Sequence, residues 1–159
     1  MKNRITFFLL TALLVLVISC DSGRIYEDFR NVNGSWYLQD PVTFEFEIDE
    51  ADKAPYDLSL HVKYDLDYNY YNLYYQFELL DSEGKKIRDE LKEVILFEPK
   101  TGRPLGSGLG STFDITGVIE QGLSLETGKY VANIYQFMRT DTLSNVQRLG
   151  LKLSTSDPQ

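Results

Sequence analysis

Apolar and polar residues alternate strictly along three separate stretches of this chain. In Val42–Ile48, with the sequence VTFEFEI, every second residue is apolar, and threonine or glutamate fills the positions between. Successive side chains of a β-strand point to opposite faces, so the pattern predicts a strand with one buried face and one solvent-facing face. The same alternation recurs from Leu58 to Tyr64 and from Leu73 to Leu79.

The remaining segments support the same fold class. Residues 128–139 and 146–154 are apolar or alternating and are bounded by Gly, Asp, Thr and Ser, as strands are. Asp81–Gly84 has the composition of a hairpin turn. Arg88–Phe97 is rich in Glu, Lys and Leu but lacks a helix stop signal, so we predict an edge strand there. The chain has no fixed-period repeat and no Pro/Ser-rich linker, which predicts one all-β domain, an antiparallel β-sandwich that is Ig-like or jelly-roll-like.

The first twenty residues have the layout of a secretory signal. Two basic residues precede an uncharged apolar run from Ile5 to Ile18, and Ser19 stands directly before Cys20. The run is shorter than the ~20 residues that a spanning helix needs. The ending Val17–Cys20 resembles a bacterial lipobox, a signal in which the cysteine thiol is diacylated before cleavage. We therefore predict that Cys20 is lipidated.

Cleavage before Cys20 divides the chain into a signal peptide at 1–19, a lipidated tether at 20–34 and a β-sandwich domain at 35–159. Without its two N-terminal cations the chain keeps 14 basic and 24 acidic side chains, a net charge of −10. So acidic a surface repels nucleic acid and anionic head groups. We expect membrane attachment through the acyl chains, because two or more chains anchor a protein stably.

Residue types that perform catalysis or bind metals are scarce. His61 is the single histidine and falls on the polar side of its strand, where an ordinary exposed imidazole is expected. Asp65–Asn69 imitates the start of a calcium loop, but Tyr70 occupies the position of the required glycine. Gly102–Thr112 has four glycines without the lysine of a phosphate loop, which favours a tightly turning loop with positive φ angles. We predict no catalytic residue, metal or cofactor, and hence no enzyme.

Six of the eleven tyrosines lie between Tyr64 and Tyr75. The alternation directs Tyr75 to the core, extends that face to Tyr71, and places Tyr74 on the opposite face. Aromatic residues in strands usually pack across strands, but exposed ones can bind a partner or stack on sugar rings. The candidate partner-binding residues are Tyr68, Tyr70, Tyr74 and Trp36.

Segments over nearly the whole mature chain carry a family resemblance. They are Cys20, SWY at Ser35–Tyr37, VTFEFEI, YYNLYYQFEL at Tyr71–Leu80, GRPLGSGLGS at Gly102–Ser111 and GKYVANIYQFMRTDTLSNVQRLGLKL at Gly128–Leu153. Together these segments resemble the gliding-motility lipoprotein GldH family of the Bacteroidota.

The resemblance implies an envelope lipoprotein without enzymatic activity. Its partners would be other envelope proteins of the gliding and type IX secretion apparatus, and only Cys20 carries over as a functional residue. The segment CDSGRIYED lacks the acidic run that surface-export signals of the phylum resemble, which favours an outer-membrane anchor facing the periplasm. The alternative is a lipid-anchored carbohydrate-binding module, which requires an exposed planar strip of aromatic residues.

Overall fold

The computed structural model describes residues 23–49 and 55–156, so the lipobox and Cys20 lie outside the described residues. Eleven strands form in this part of the chain, and none of it is helical. The strands are β1 Arg24–Asn31, β2 Ser35–Tyr37, β3 Val42–Ile48, β4 Tyr56–Asp65, β5 Asn72–Leu80, β6 Lys86–Ile95, β7 Ser107–Leu109, β8 Thr112–Leu123, β9 Gly128–Gln136, β10 Thr142–Ser144 and β11 Val146–Thr155.

Two antiparallel sheets face each other. The five-stranded sheet has the order β1-β11-β4-β8-β7, the four-stranded sheet has the order β3-β9-β5-β6, and β10 pairs with β2 separately. On one side β1 lies over β3, where the rings of Tyr26 and Phe46 are 5.4 Å apart. On the other side β8 lies over β6, where Glu120 binds Arg88. The predicted antiparallel sandwich is confirmed.

The core lies between the two inner faces, as the alternation predicts. The inward residues of the three alternating stretches are all buried, namely Val42, Phe44, Phe46, Ile48, Leu58, Leu60, Val62, Tyr64, Leu73, Tyr75, Phe77 and Leu79. Full burial of a large apolar side chain contributes roughly 1.5–3 kcal/mol. Burial of these side chains therefore contributes much of the free energy that stabilises the packing of the two sheets.

The segment predicted as an edge strand is β6, and it is the edge of the four-stranded sheet. Its inward-facing side carries charges: Lys92 pairs with Glu90 at 2.5 Å, and Arg88 donates from Nε and Nη2 to both carboxylate oxygens of Glu120 on β8. Inward-pointing charges discourage another strand from extending an edge. Because this edge strand carries charged residues on both of its faces, its composition resembles that of a helix.

Strand β1, an edge of the five-stranded sheet, lies within the segment predicted as a tether. Residues 24–31 pair with β11, so the folded domain begins before the predicted boundary at residue 35. Tyr26 packs inward, whereas Phe29 lies on the outer face across Gly150, where an added Cβ would overlap the ring. The inward side of β1 also carries an ion pair, between Asp28 and Arg30.

The glycine-rich loop turns tightly, as predicted. Gly102 and Gly110 have φ angles of 68° and 72°, which glycine adopts without strain. Gly106 and Gly108 lie so close to the backbone of β8 that a Cβ at either position would collide with it. The loop therefore folds back as the short strand β7 along the start of β8.

Candidate functional site

The four residues predicted as a partner surface do not share one surface. Tyr70 and Tyr74 are exposed, whereas Trp36 and Tyr68 have only 2% and 5% of their surface exposed. Burial removes Trp36 and Tyr68 from any accessible surface, so the prediction is corrected for these two residues. The exposed aromatic strip that carbohydrate binding requires thereby loses two of its four members.

Both buried rings satisfy their polar atoms internally. The Trp36 Nε1 donates to the carbonyl of Asp40 at 3.0 Å, and the Tyr68 hydroxyl donates to the carbonyl of Asn72 at 3.0 Å. Tyr68 stacks on Phe97, and burial raises the pKa of Tyr68. Tyr68 precedes β5 in the chain, so strand periodicity gave no information about which way it points.

Tyr71 is also placed differently from the prediction. It was expected to extend the core face, but 48% of its surface is exposed. The reason is that β5 begins at Asn72, so the alternation does not extend back to Tyr71. Asn72 is buried instead, and its side-chain amide donates to a Glu93 carboxylate oxygen at 2.6 Å.

Exposed aromatic residues gather at one end of the outer face of the four-stranded sheet. Phe137 is 55% exposed, and its backbone N–H donates to the carbonyl of Tyr74 at 2.8 Å, which sets the two residues side by side. A hydrogen bond to Glu93 and the charge of that carboxylate raise the pKa of Tyr74, and nearby Tyr71 raises it further. We call Tyr71, Tyr74 and Phe137 the aromatic end of this face.

A family model described as GldH lipoprotein matches residues 24–153, nearly all of the described domain. The chain belongs to the GldH lipoprotein family. The resemblance that the sequence segments carry is thereby confirmed, and the matched region begins at the first residue of β1.

Relatives of the GldH family align over almost the full chain. A "Gliding motility lipoprotein GldH homolog" from Christiangramia forsetii is 28% identical over 165 residues, covering 99% of each chain. The "Gliding motility lipoprotein GldH" of Flavobacterium johnsoniae is 23% identical over 155 residues, covering 90% of this chain and 92% of that one. Among solved structures, the infectious bursal disease virus VP2 subviral particle aligns with a TM-score of 0.39 and 11% identity, over 81% of this chain and 32% of that one. A superposition this loose carries no functional argument.

At the other end of the same face, this GldH-family domain has a shallow depression of about 620 Å³. Its floor includes Val131 and Leu80, which are neighbours in the register of β9 and β5, and Glu45 lies beside Val131 on β3. Glu47 also lines the depression, and Glu45 and Glu47 together form its acidic wall. The side-chain carboxylates of Glu45 and Glu47 form no hydrogen bond or ion pair with another described residue, although the backbone of both residues pairs with β9. Sequence periodicity missed this floor, although the consecutive apolar residues Leu79-Leu80 and Val131-Ala132 were the available signal.

His61 is less exposed than the sequence predicts. Its ring lies 5.7 Å from that of Phe29, its Nδ1 is 2.9 Å from the Thr116 hydroxyl, and its Nε2 is 3.7 Å from a Glu27 oxygen. Burial lowers the pKa of His61 and outweighs the opposing influence of Glu27. Strand β1, which the sequence pattern did not predict, covers the His61 ring.

The segment Asp65–Asn69, which imitates the start of a calcium loop, has other structural roles. The carboxylate of Asp65 accepts hydrogen bonds from Thr112 and Gln147, and Asp67 uses its carbonyl to hold Asn145. Within residues 23–49 and 55–156, no cluster of three His, Cys, Asp or Glu side chains could hold a metal ion. The same described segments include no helix that is long and apolar enough to cross a membrane.

Proposed function

We propose that this chain is a lipid-anchored envelope protein of the gliding apparatus, attached through Cys20 after removal of residues 1–19. In this proposal it sits in the outer membrane, faces the periplasm, and serves the motility and type IX secretion machinery as a non-enzymatic component. The observation that carries the proposal is the family match over residues 24–153, which begins four positions after Cys20 at the end of a lipobox-like segment. The two relatives named above are both called gliding motility lipoproteins.

The outer face of the four-stranded sheet supports a binding role. It offers exposed aromatic rings and a shallow depression, which are features of surfaces that contact other proteins. The carbohydrate-binding alternative has less support, because Trp36 and Tyr68 are buried.

Metabolic labelling with an alkyne fatty acid tests the anchor. Wild type, Cys20→Ala and the neighbouring control Ser22→Ala are expressed in the native host and fractionated. We expect label and envelope association for wild type and Ser22→Ala, and neither for Cys20→Ala, because only the thiol accepts the diacylglyceryl group. Label that persists on Cys20→Ala would contradict the lipobox interpretation.

Gene deletion tests the role in motility and secretion. Deletion should abolish spreading on agar and reduce secretion of type IX cargo, and the wild-type gene should restore both while Cys20→Ala should not. Normal gliding and normal secretion in the deletion strain would refute the apparatus role even if the protein is lipidated. Recovery of glycans alone with the purified wild-type protein would favour the carbohydrate alternative.

A further inference from the structure

The outer face of the four-stranded sheet carries more acidic than basic side chains. Its outward positions hold the carboxylates Glu45, Glu47, Glu78, Asp89 and Glu93 and the lysines Lys86 and Lys129. Lys86 is already engaged by Glu78 and Asp89, and these hydrogen bonds raise the pKa of Lys86. Lys129 lies opposite Glu47 in the register but forms no ion pair with a described residue. The acidic charge of this face is therefore incompletely matched.

Apolar surface accompanies that charge at both ends of the face. Leu80 and Val131 form the floor of the depression beside Glu45 and Glu47. The aromatic end lies at the far end of the same strands, and Leu91 on β6 is 52% exposed on this face. Apolar area framed by carboxylates that have no partner among the described residues is matched by side chains that combine an aliphatic stem with a positive head group.

We infer that this face docks a segment of a protein partner whose arginine or lysine side chains lie between apolar residues. Arginine and lysine bury their methylene stems along apolar surface and keep the charged group at the rim. The stem would lie on Leu80 and Val131, and the head group would meet Glu45 and Glu47. At the aromatic end, a second cation would lie over the ring of Tyr74 or Phe137, within ~6 Å of its centre.

Charge complementarity selects this occupant over others. Anionic lipid head groups and nucleic acid would be repelled by the carboxylates. A second copy of this chain would have to present a free basic surface, but on its five-stranded sheet Lys63 and Arg148 both already approach Asp114 at 3.7 Å. A basic protein segment satisfies the carboxylates and the apolar floor together.

This inference rests on the proposed function for one point only, that the partner is reached in the envelope. The test compares two faces of the same molecule, so its failure differs from a failure of anchoring. Loss of the anchor would affect probes on both faces alike. A wrong docking face would leave Cys20 labelling and gliding unchanged.

A photo-cross-linking amino acid, p-benzoylphenylalanine, is placed in the full chain at Lys129, at the rim of the depression. The matched control replaces Val118, which is 59% exposed on the outer face of the five-stranded sheet. After irradiation of living cells, mass spectrometry identifies the cross-linked peptide. We expect a protein adduct at a segment containing Arg or Lys from the Lys129 position, and none of that protein from the Val118 position.

Neutralising the acidic wall tests the chemistry of the contact. The double variant Glu45→Gln with Glu47→Gln should lower the yield of this adduct about tenfold, since charged pairs govern such encounters. The control, Asp67→Asn with Asp141→Asn, removes the same charge from exposed positions elsewhere and should keep the adduct. Thermal unfolding of each variant verifies that the fold is intact.

A synthetic peptide of the cross-linked segment should then bind the purified domain, and its Arg/Lys→Glu version should not. The inference is overturned by equal adducts from both positions, by no adduct at all, or by an acidic cross-linked segment. Adducts only to a second copy of the chain, to lipid or to glycan also overturn it, as does an adduct yield that the Glu45 and Glu47 substitutions leave unchanged.

Discussion

The two outer faces of the sandwich arise from the same alternation but differ in how their outward residues are used. On the five-stranded sheet, several outward side chains contact one another: the Arg148 guanidinium lies 4.6 Å from the centre of the Phe29 ring, and Phe29 in turn covers His61. On the four-stranded sheet, Glu45 and Glu47 find no partner in the described part of the chain, and Phe137 projects into solvent.

Exposure alone does not identify a binding face. Phe29 and Phe137 are both partly exposed phenylalanines on outer faces, at 39% and 55%. Phe29 is held by contacts within the sheet, so its exposed edge is what remains after packing. Phe137 lacks such cover, and the free energy of the fold gains little from it. Side chains with low structural value and high exposure are the better candidates for recognition.

The largest expected difference between the faces is in stability. Phe29→Ala should lower the free energy of unfolding by about 1–2 kcal/mol, because the ring loses apolar contact with the backbone of Gly150 and its cation–π contact with Arg148. Phe137→Ala should change it by less than about 0.5 kcal/mol. Urea unfolding of the two variants measures both values. Equal losses would remove the distinction between the faces.

A second expectation concerns strand β6, which has charged pairs on both its inward and its outward side. A double-mutant cycle on Arg88 and Glu120 should give a coupling of about 1 kcal/mol, since the pair is bidentate and only 32% and 22% exposed. The same cycle on Lys86 and Asp89 should give a smaller coupling, because water screens that pair. A larger outward coupling would show that the open face contributes to stability.

Reversing one charge on each outer face should produce a smaller difference in unfolding free energy. Asp114→Lys adds a third cation beside Lys63 and Arg148 and should cost about 0.5 kcal/mol of unfolding free energy. Glu45→Lys on the four-stranded sheet should be nearly neutral, because that carboxylate has no described partner. Chemical denaturation at low ionic strength measures the difference. A larger cost for Glu45→Lys would mean that its carboxylate stabilises the fold.

The smallest expected effect is a pH dependence confined to the five-stranded sheet. Burial lowers the pKa of His61, so between its ordinary pKa near ~6.5 and the folded value the unfolded chain binds more protons than the folded one. Stability is therefore complete above ~6.5, falls as the pH is lowered through this window, and loses nothing more from His61 below the folded value. Unfolding at about pH 7.5 and about pH 5.5 should show a decrease that is smaller in His61→Gln. An identical decrease in both proteins would rule out this histidine as the source.

Sequence alone predicted the elements whose alternation is uninterrupted. Strands β3, β4 and β5 and their buried residues follow directly from period two, and β6 was predicted as an edge strand because its sequence lacks a helix stop signal. Strand β8 was not predicted. Gly117 interrupts the apolar series of β8, because a side chain there would crowd Val94. The register between β8 and β4 also shifts near Leu58, so the residues of β8 beyond the shift change face.

The candidate site was only partly predictable. Cys20 stays a prediction, which rests on the lipobox-like segment that it ends, whereas the exposure of Tyr74 follows from its place in β5. The positions of Trp36 and Tyr68 depend on loops and short strands that fold back on the core, and no local pattern encodes those tertiary contacts. The apolar floor at Leu80 and Val131 becomes visible only when two strands distant in sequence are aligned.

The position of β1 has a mechanical consequence. A drag force entering from the N-terminal side would reach the domain at Gly23 and act along β1, which runs antiparallel to β11 from Arg24 opposite Ser154 to Asn31 opposite Arg148. Hydrogen bonds in such a pair are perpendicular to the strands, so a pull along the strand shears them together instead of opening them one after another. If the protein is anchored through its N-terminal tether, as proposed, the first strand of the domain would therefore meet a steady load in the direction in which a β-ladder resists rupture best.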